Sequence, residues 1–253
     1  MHILVCVKQV LDPDGVNGYA LWGHLEVDAS GRAFDVHGTV PRIINAYDEQ
    51  ALEAALRIRD AGLDCRITAV TAGPEGAGDI LKRCIAMGAD EAIHIMDDES
   101  DAADGFRTAD ILAGLARELG DVDLVLCGRQ GSDFDQGAVP AVLAERLNAA
   151  LVTMASAVQV EDGAALVTRV TPSGPETVRA SLPAVVSVSN ELGTPRYPSS
   201  RGMMAARRQP PVRATADVGL DFLHAATSDT VTGVDRDAEH VAKAIASSVA
   251  GRD

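Results

Sequence analysis

The sequence predicts an α/β fold: a doubly wound, mostly parallel sheet with added antiparallel strands and an extended C-terminal arm. Three observations predict it. Residues 1–150 alternate short apolar runs with segments of helical periodicity, the order that builds a parallel sheet with right-handed crossovers. The chain is 47% apolar but only 3% aromatic, so Val, Ala, Leu and Ile must fill the core, as suits a sheet sandwiched between helices. After residue 150 the pattern changes to short strands split by Gly and Pro.

Each element has its own signal. Ile3-Leu4-Val5-Cys6-Val7 is a continuous apolar run, the mark of a strand buried on both faces. Residues 12–42, rich in Gly, Asp and His, alternate only weakly (Leu25-Glu26-Val27-Asp28) and read as an excursion with a small hairpin. A first helix starts near Tyr47–Asp48, with Asn45 or Asp48 as its cap and Ala51, Leu52, Ala55, Leu56 and Ile58 on its apolar side. Arg66–Val70 is the second strand. Pro74 opens a helix that buries Ile80, Leu81, Cys84 and Ile85 and stops at Gly88. Glu91–Ile95 is the third strand, Thr108–Leu119 a helix, Leu124–Gly128 the fourth strand, and Val139–Leu147 a helix. Ala157–Val160, Ala165–Val170, Glu176–Ala180 and Ala184–Val188 then read as antiparallel additions to the same sheet. Residues 191–232 carry many breakers and little periodicity, as an extended arm would, and 235–249 reads as a terminal amphipathic helix.

Composition excludes several functions. A net charge of −15 opposes nucleic acid and anionic membrane surfaces. The chain opens directly on a strand without a signal-peptide core, and no apolar run reaches the ~18 residues of a transmembrane helix, so a cytoplasmic protein is expected. Cys6, Cys65, Cys84 and Cys127 form no CxxC pair, so no metal site is expected and they read as small buried hydrophobes. His2, His24, His37, His94, His224 and His240 lack ligand spacing and read as surface or packing residues. No nucleophile–base pair can be assembled, so no catalytic residue is expected, which fits a carrier whose cofactor does the chemistry. The basic stretch Arg196, Arg201, Arg207, Arg208, Arg213 suits an acidic partner or a phosphate, or is a solvated strip.

Ligands of doubly wound sheets bind beyond the carboxyl ends of the strands. The loops there are Lys8–Asp14, Thr71–Gly76 and Gly128–Gly137. The last, Gly128-Arg129-Gln130-Gly131-Ser132-Asp133-Phe134-Asp135-Gln136-Gly137, joins a strand to a helix. Its glycines and small polar residues free backbone N–H groups for a phosphate, although it is neither a Walker loop nor GxGxxG. Asp133 and Asp135 suit a magnesium ion or a ribose hydroxyl, or are simply solvated.

Several stretches in register resemble electron transfer flavoprotein beta subunits: Met1–Val10, Ile44–Ala55, Met87–Asp90, Gly128-Arg129-Gln130 with Asp133 and Asp135, Leu182–Val186, Pro195-Arg196-Tyr197-Pro198, and Gly202–Arg208. The resemblance implies a Rossmann-like, adenine-nucleotide-binding domain over residues 1–190 and a partner-binding arm with its terminal helix over 191–253. It implies a heterodimer with an alpha subunit, FAD shared with that subunit, AMP or a second FAD on this chain, and a dehydrogenase as redox partner. The nucleotide positions it implies are Cys6, Val7, Lys8, Asn45, Ala46, Tyr47, Asp48, Ala72, Gly128, Gln130, Gly131, Ser132, Asp133, Asp135, Gln136, Gly137 and Val139. The partner positions are Arg196, Tyr197, Ser200, Met203 and Met204, with Ser200 where the family carries a docking leucine. Members that bind AMP carry Asn-Gln-Thr where this chain has Gly137-Ala138-Val139, and bifurcating members carry Asp-Gly-Asp-Thr where it has Asp133-Phe134-Asp135-Gln136, so the choice of nucleotide stays open. The rivals are a hydrolase of the same fold, which would need a Ser-Gly-Gly-x-Asp-like loop where Lys8-Gln9-Val10-Leu11-Asp12 stands, and a stress-protein-like nucleotide sensor, which would not need the arm.

Overall fold

The apolar runs His2–Cys6, Leu124–Gly128 and Ala184–Val188 are buried along their whole length, and helices cover both faces of the sheet there. The computed structural model describes residues 1–21, 40–97 and 104–215. The chain opens with β1 (His2–Cys6) and β2 (Gln9–Leu11), then α1 (Pro13–Leu21), β3 (Arg42–Ile44) and α2 (Ala46–Asp60). There follow β4 (Arg66–Gly73), a 3₁₀ turn at Glu75–Gly78, α3 (Asp79–Met87), β5 (Glu91–Met96), α4 (Gly105–Leu119), β6 (Leu124–Gly128) and α5 (Val139–Leu147). β7 (Ala150–Glu161), β8 (Ala164–Thr171), β9 (Gly174–Ser181) and β10 (Ala184–Val188) come next, and α6 (Ser200–Arg208) and β11 (Val212–Thr215) end the described chain.

Nine strands form one sheet in the order β11-β5-β4-β1-β6-β10-β7-β8-β9. From β11 to β7 all neighbours are parallel, whereas β7–β8 and β8–β9 are antiparallel. Alternation along each strand divides the core. Ile3, Val5, Ile67, Leu124, Leu126 and Val186 pack with α2 and α3, while Leu4, Cys6, Val70, Val125, Cys127 and Val185 pack with α4 and α5. Helix ends follow local rules: α3 stops at Gly88, whose φ is +130°, and Asp104 caps α4 by accepting from Arg107 N.

Four expectations need correction. Ala184–Val188 is parallel, inserted between β6 and β7 rather than added antiparallel. Its continuous burial, shared by β1 and β6, is that of a central strand. β7 is longer than its sequence signal, because its first half pairs with β10 and its second with β8, with Met154 at φ +64° between them. Pro13–Leu21 is helical where an excursion was expected, and the chain there is flanked by the antiparallel pair β2–β3; the hairpin expected at 25–28 lies outside the described residues. Finally, the start of the arm contains α6 and β11, not extended chain alone. α6 is strongly one-sided: Ala206 is buried against the body, and Gly202 lies so close to α3 that a Cβ there would meet Ala86 O at 2.0 Å. The helix expected over 235–249 lies outside the described residues.

Candidate functional site: a crevice at the carboxyl ends of β1 and β6

After β1 the chain moves outward to β4 and β5, then returns to β6 on the other side of β1. β1 and β6 therefore flank a switch in strand order, where the loops part and leave a crevice. Cys6 and Cys127 are register partners at its floor. Both are buried, and the hydrogen bond with Cys6, together with burial, pushes the Cys127 thiol well up. They are inert walls rather than nucleophiles.

Two side chains at the start of α2 stitch the loops together. Asn45 occupies the N-cap position, yet neither it nor Asp48 caps the helix. Asn45 instead donates from Nδ2 to Gln130 O (2.8 Å), accepts at Oδ1 from Ser132 N (3.2 Å), and donates its backbone N–H to Lys8 O (2.9 Å). Asp48 accepts from Lys8 N at 2.8 Å and from Gly128 N at 2.9 Å. Burial raises the Asp48 carboxyl to about 7 against the pull of those hydrogen bonds. Each of its oxygens accepts from a backbone N–H of a different loop, so Asp48 positions the loops. Gly128 is required: a Cβ there would stand 2.3 Å from Asp48 Oδ1 and 2.8 Å from the Tyr47 carbonyl carbon.

The third loop lies against the first. Lys8 Nζ pairs with Asp133 at 2.6 Å and sits 5.3 Å from the centroid of the Phe134 ring. Gln130 donates to Asp135 Oδ1 at 2.8 Å, and Asp135 adopts φ +53°. Gly137, at φ +61°, turns the chain into α5, where a Cβ would touch Arg129 O at 3.0 Å. The N–H groups of Gln136, Gly137 and Ala138, just before Val139, have no hydrogen-bond partner among the described residues. They directly precede the N-terminus of α5, a place suited to an anion. The second loop joins through Gln9 Nε2, which donates to Gly76 O at 2.9 Å. Ala72 is half-buried at the carboxyl end of β4 beside Thr71, while Ala46 is exposed and Val7 buried.

Sequence reasoning missed three residues here. Arg129 lies 5.1 Å from the centroid of the Tyr47 ring. The Thr71 hydroxyl is buried without a partner, a debt that a ligand hydrogen bond would settle. Phe134 is a large apolar side chain left 58% exposed, legible only as an aromatic in a polar loop. Among the described residues, no group of His, Cys, Asp or Glu is arranged to hold a metal.

The arm meets the body away from the crevice. Arg196 donates from N and Nε to Glu53 Oε2 (3.1 and 2.8 Å) and from Nη2 to Glu53 Oε1 and Asp60. Arg57 adds a further bond to Glu53 and holds Leu192 O at 2.8 Å. Arg196 is thus engaged inside the chain. Tyr197 (84%), Ser200, Met203 and Met204 are exposed.

A family profile for the electron transfer flavoprotein domain matches residues 36–219. The chain belongs to the electron transfer flavoprotein family, on its beta-subunit side. It is 38% identical over 87% of its length to the caffeyl-CoA reductase-Etf complex subunit CarD of Acetobacterium woodii, covering 80% of that protein. It is 33% identical to the electron transfer flavoprotein beta subunit of Megasphaera elsdenii, over 92% of this chain and 86% of the relative. The corresponding subunit of Mycobacterium tuberculosis is 32% identical over 87% of this chain and 81% of its own. The profile match spans the second and third crevice loops and the described part of the arm, and the comparisons do not favour the hydrolase or the stress-protein sensor. No helix among the described residues is long and apolar enough to cross a membrane.

Proposed function

We propose that this electron transfer flavoprotein subunit pairs with an alpha subunit in a cytoplasmic carrier and holds one adenine nucleotide, AMP or a second FAD, in the β1/β6 crevice. The carrying observation is the cradle itself: the first and third strand-end loops tied by Asn45 and Asp48, the second joined through Gln9, with unpaired N–H groups before α5 and the Lys8 ammonium at the mouth. An anionic phosphate fits this donor set, and the orphaned Thr71 hydroxyl fits a polar ligand nearby. A bound flavin would supply one- and two-electron chemistry. The chain's own groups bind and orient; none is arranged for turnover of a substrate.

The exposed face of α6 is the proposed partner surface. Met203 and Met204 stand there beside Arg201, Arg207 and Arg208, adaptable apolar contacts with a charged edge in an acidic chain. A dehydrogenase is the proposed redox partner. The test is to purify the heterodimer, denature it, and identify the released small molecules by mass spectrometry. FAD together with AMP, or two equivalents of FAD, is expected. A single FAD and nothing else overturns the reading.

A further inference from the structure

We propose that Phe134 is the ring-stacking residue of the crevice, presenting one face of its ring to the flat heterocycle of the bound nucleotide. The inference rests on the nucleotide reading above and goes further by naming the side chain that recognises a ring rather than a phosphate.

Phe134 is out of place by ordinary folding rules. The chain has four phenylalanines, and this one lies between two carboxylates in a loop otherwise made of Gly and polar residues. A benzyl group left 58% exposed at the mouth of a crevice adds nothing to the core. The loop does not let it swing freely. On one side Asp133 accepts the Phe134 N–H at 2.9 Å and pairs with Lys8 at 2.6 Å. On the other, Asp135 donates to Gly131 O at 3.0 Å and accepts from Gln130 at 2.8 Å. The ring is thus mounted on a pinned turn.

The Lys8 ammonium lies 5.3 Å from the ring centroid. A cation sits over the face of a ring, so it occupies one face and leaves the other for a second flat system. The two side chains together match the two ends of one ligand class. Lys8 suits a phosphate, and Phe134 suits a base or an isoalloxazine, which any aromatic face can stack. A free sugar phosphate or inorganic phosphate would use Lys8 and leave Phe134 idle.

The experiment uses the heterodimer with its alpha subunit, freed of the crevice nucleotide and carrying the alpha subunit's own FAD. AMP and FAD are titrated separately into the wild type and the variants Phe134→Leu, Phe134→Tyr and Phe134→Trp. Leucine keeps the apolar bulk but removes the π face, so affinity should fall on the order of 5- to 100-fold. Tyrosine should bind nearly as the wild type does. In the Phe134→Trp protein, indole emission should be quenched as the ligand saturates, a signature that a merely structural role would not produce. Loss for both ligands places adenine on Phe134, and loss for FAD alone places the flavin ring there. Unchanged affinity of the leucine variant for both ligands overturns the proposal while the nucleotide reading stands. Poorer subunit assembly with unchanged nucleotide affinity likewise overturns it, making Phe134 a protein contact. If the wild type binds neither AMP nor FAD, the nucleotide reading falls and this proposal falls with it.

Discussion

Helix α2 carries two buried carboxylates five residues apart, and they behave in opposite ways. Asp48, at the first turn, is held by the neutral N–H groups of Lys8 and Gly128. Glu53, in the middle of the helix, is held by two guanidiniums, Arg57 and Arg196. Burial raises both, but only at Glu53 does full positive charge stand close enough to win: its carboxyl ends below the usual range, while Asp48 rises to about 7. The difference teaches what each joint is for. Asp48 organises a crevice with dipoles and leaves the Lys8 charge free to face solvent and Asp133. Glu53 clamps the arm to the body with charge. One helix thus ties the crevice loops at its start and the arm at its middle.

Removing the charged clamp should have the largest effect. Glu53→Ala leaves the Arg196 guanidinium with only the exposed Asp60 and should cost about 3 kcal/mol. Urea unfolding of the heterodimer measures this. Amide exchange over residues 196–208 should quicken at the same time, and unchanged protection there would show that the arm is held by something else. Glu53→Gln should recover part of the loss, because an amide oxygen still accepts from Arg196.

Breaking the dipolar joint should cost less. Gly128→Ala drives a Cβ into Asp48 and the Tyr47 backbone, and should destabilise by about 1–3 kcal/mol while weakening nucleotide retention. Arm protection should not change. If it does, the two ends of α2 are not independent.

The smallest effect sharpens the contrast. Because the folded-state value of Asp48 is raised, the folded protein binds its proton more tightly than the unfolded chain does. Its contribution to stability therefore falls as pH rises from about 3.8 to about 7 and is flat above that. Glu53 is depressed, so its contribution is present above its ordinary value of 4.5 and is lost as pH falls below it. The stability difference between wild type and Asp48→Asn should decline across the first window, and that between wild type and Glu53→Gln should change only in acid. Parallel curves for the two variants would erase the distinction between the joints.

Much of this architecture was legible along the chain. Continuous burial in His2–Cys6 and Leu124–Gly128, the stop at Gly88, and the helix over Val139–Leu147 are written locally, because a strand or helix between two apolar layers must show that burial residue by residue. The three loops of the crevice followed from strand order, since parallel crossovers deliver the carboxyl ends to one edge. Their convergence needed no long-range information beyond that.

What the tertiary structure alone decided is who meets whom. Asn45 and Asp48 look like helix caps in sequence, yet their side chains reach loops 85 and 80 residues away. Glu53 looks like a surface glutamate until Arg196, 143 residues later, closes on it. Ala184–Val188 carries the apolar run of a central strand, but nothing local says that it slips between β6 and β7 instead of following β9. α6 lies as close to α3 as it does because Gly202 has no Cβ to meet Ala86 O. Periodicity records how deeply a residue is buried. It does not record which partner does the burying, and every long-range contact described above, from the stitched crevice to the clamped arm, is a choice of partner.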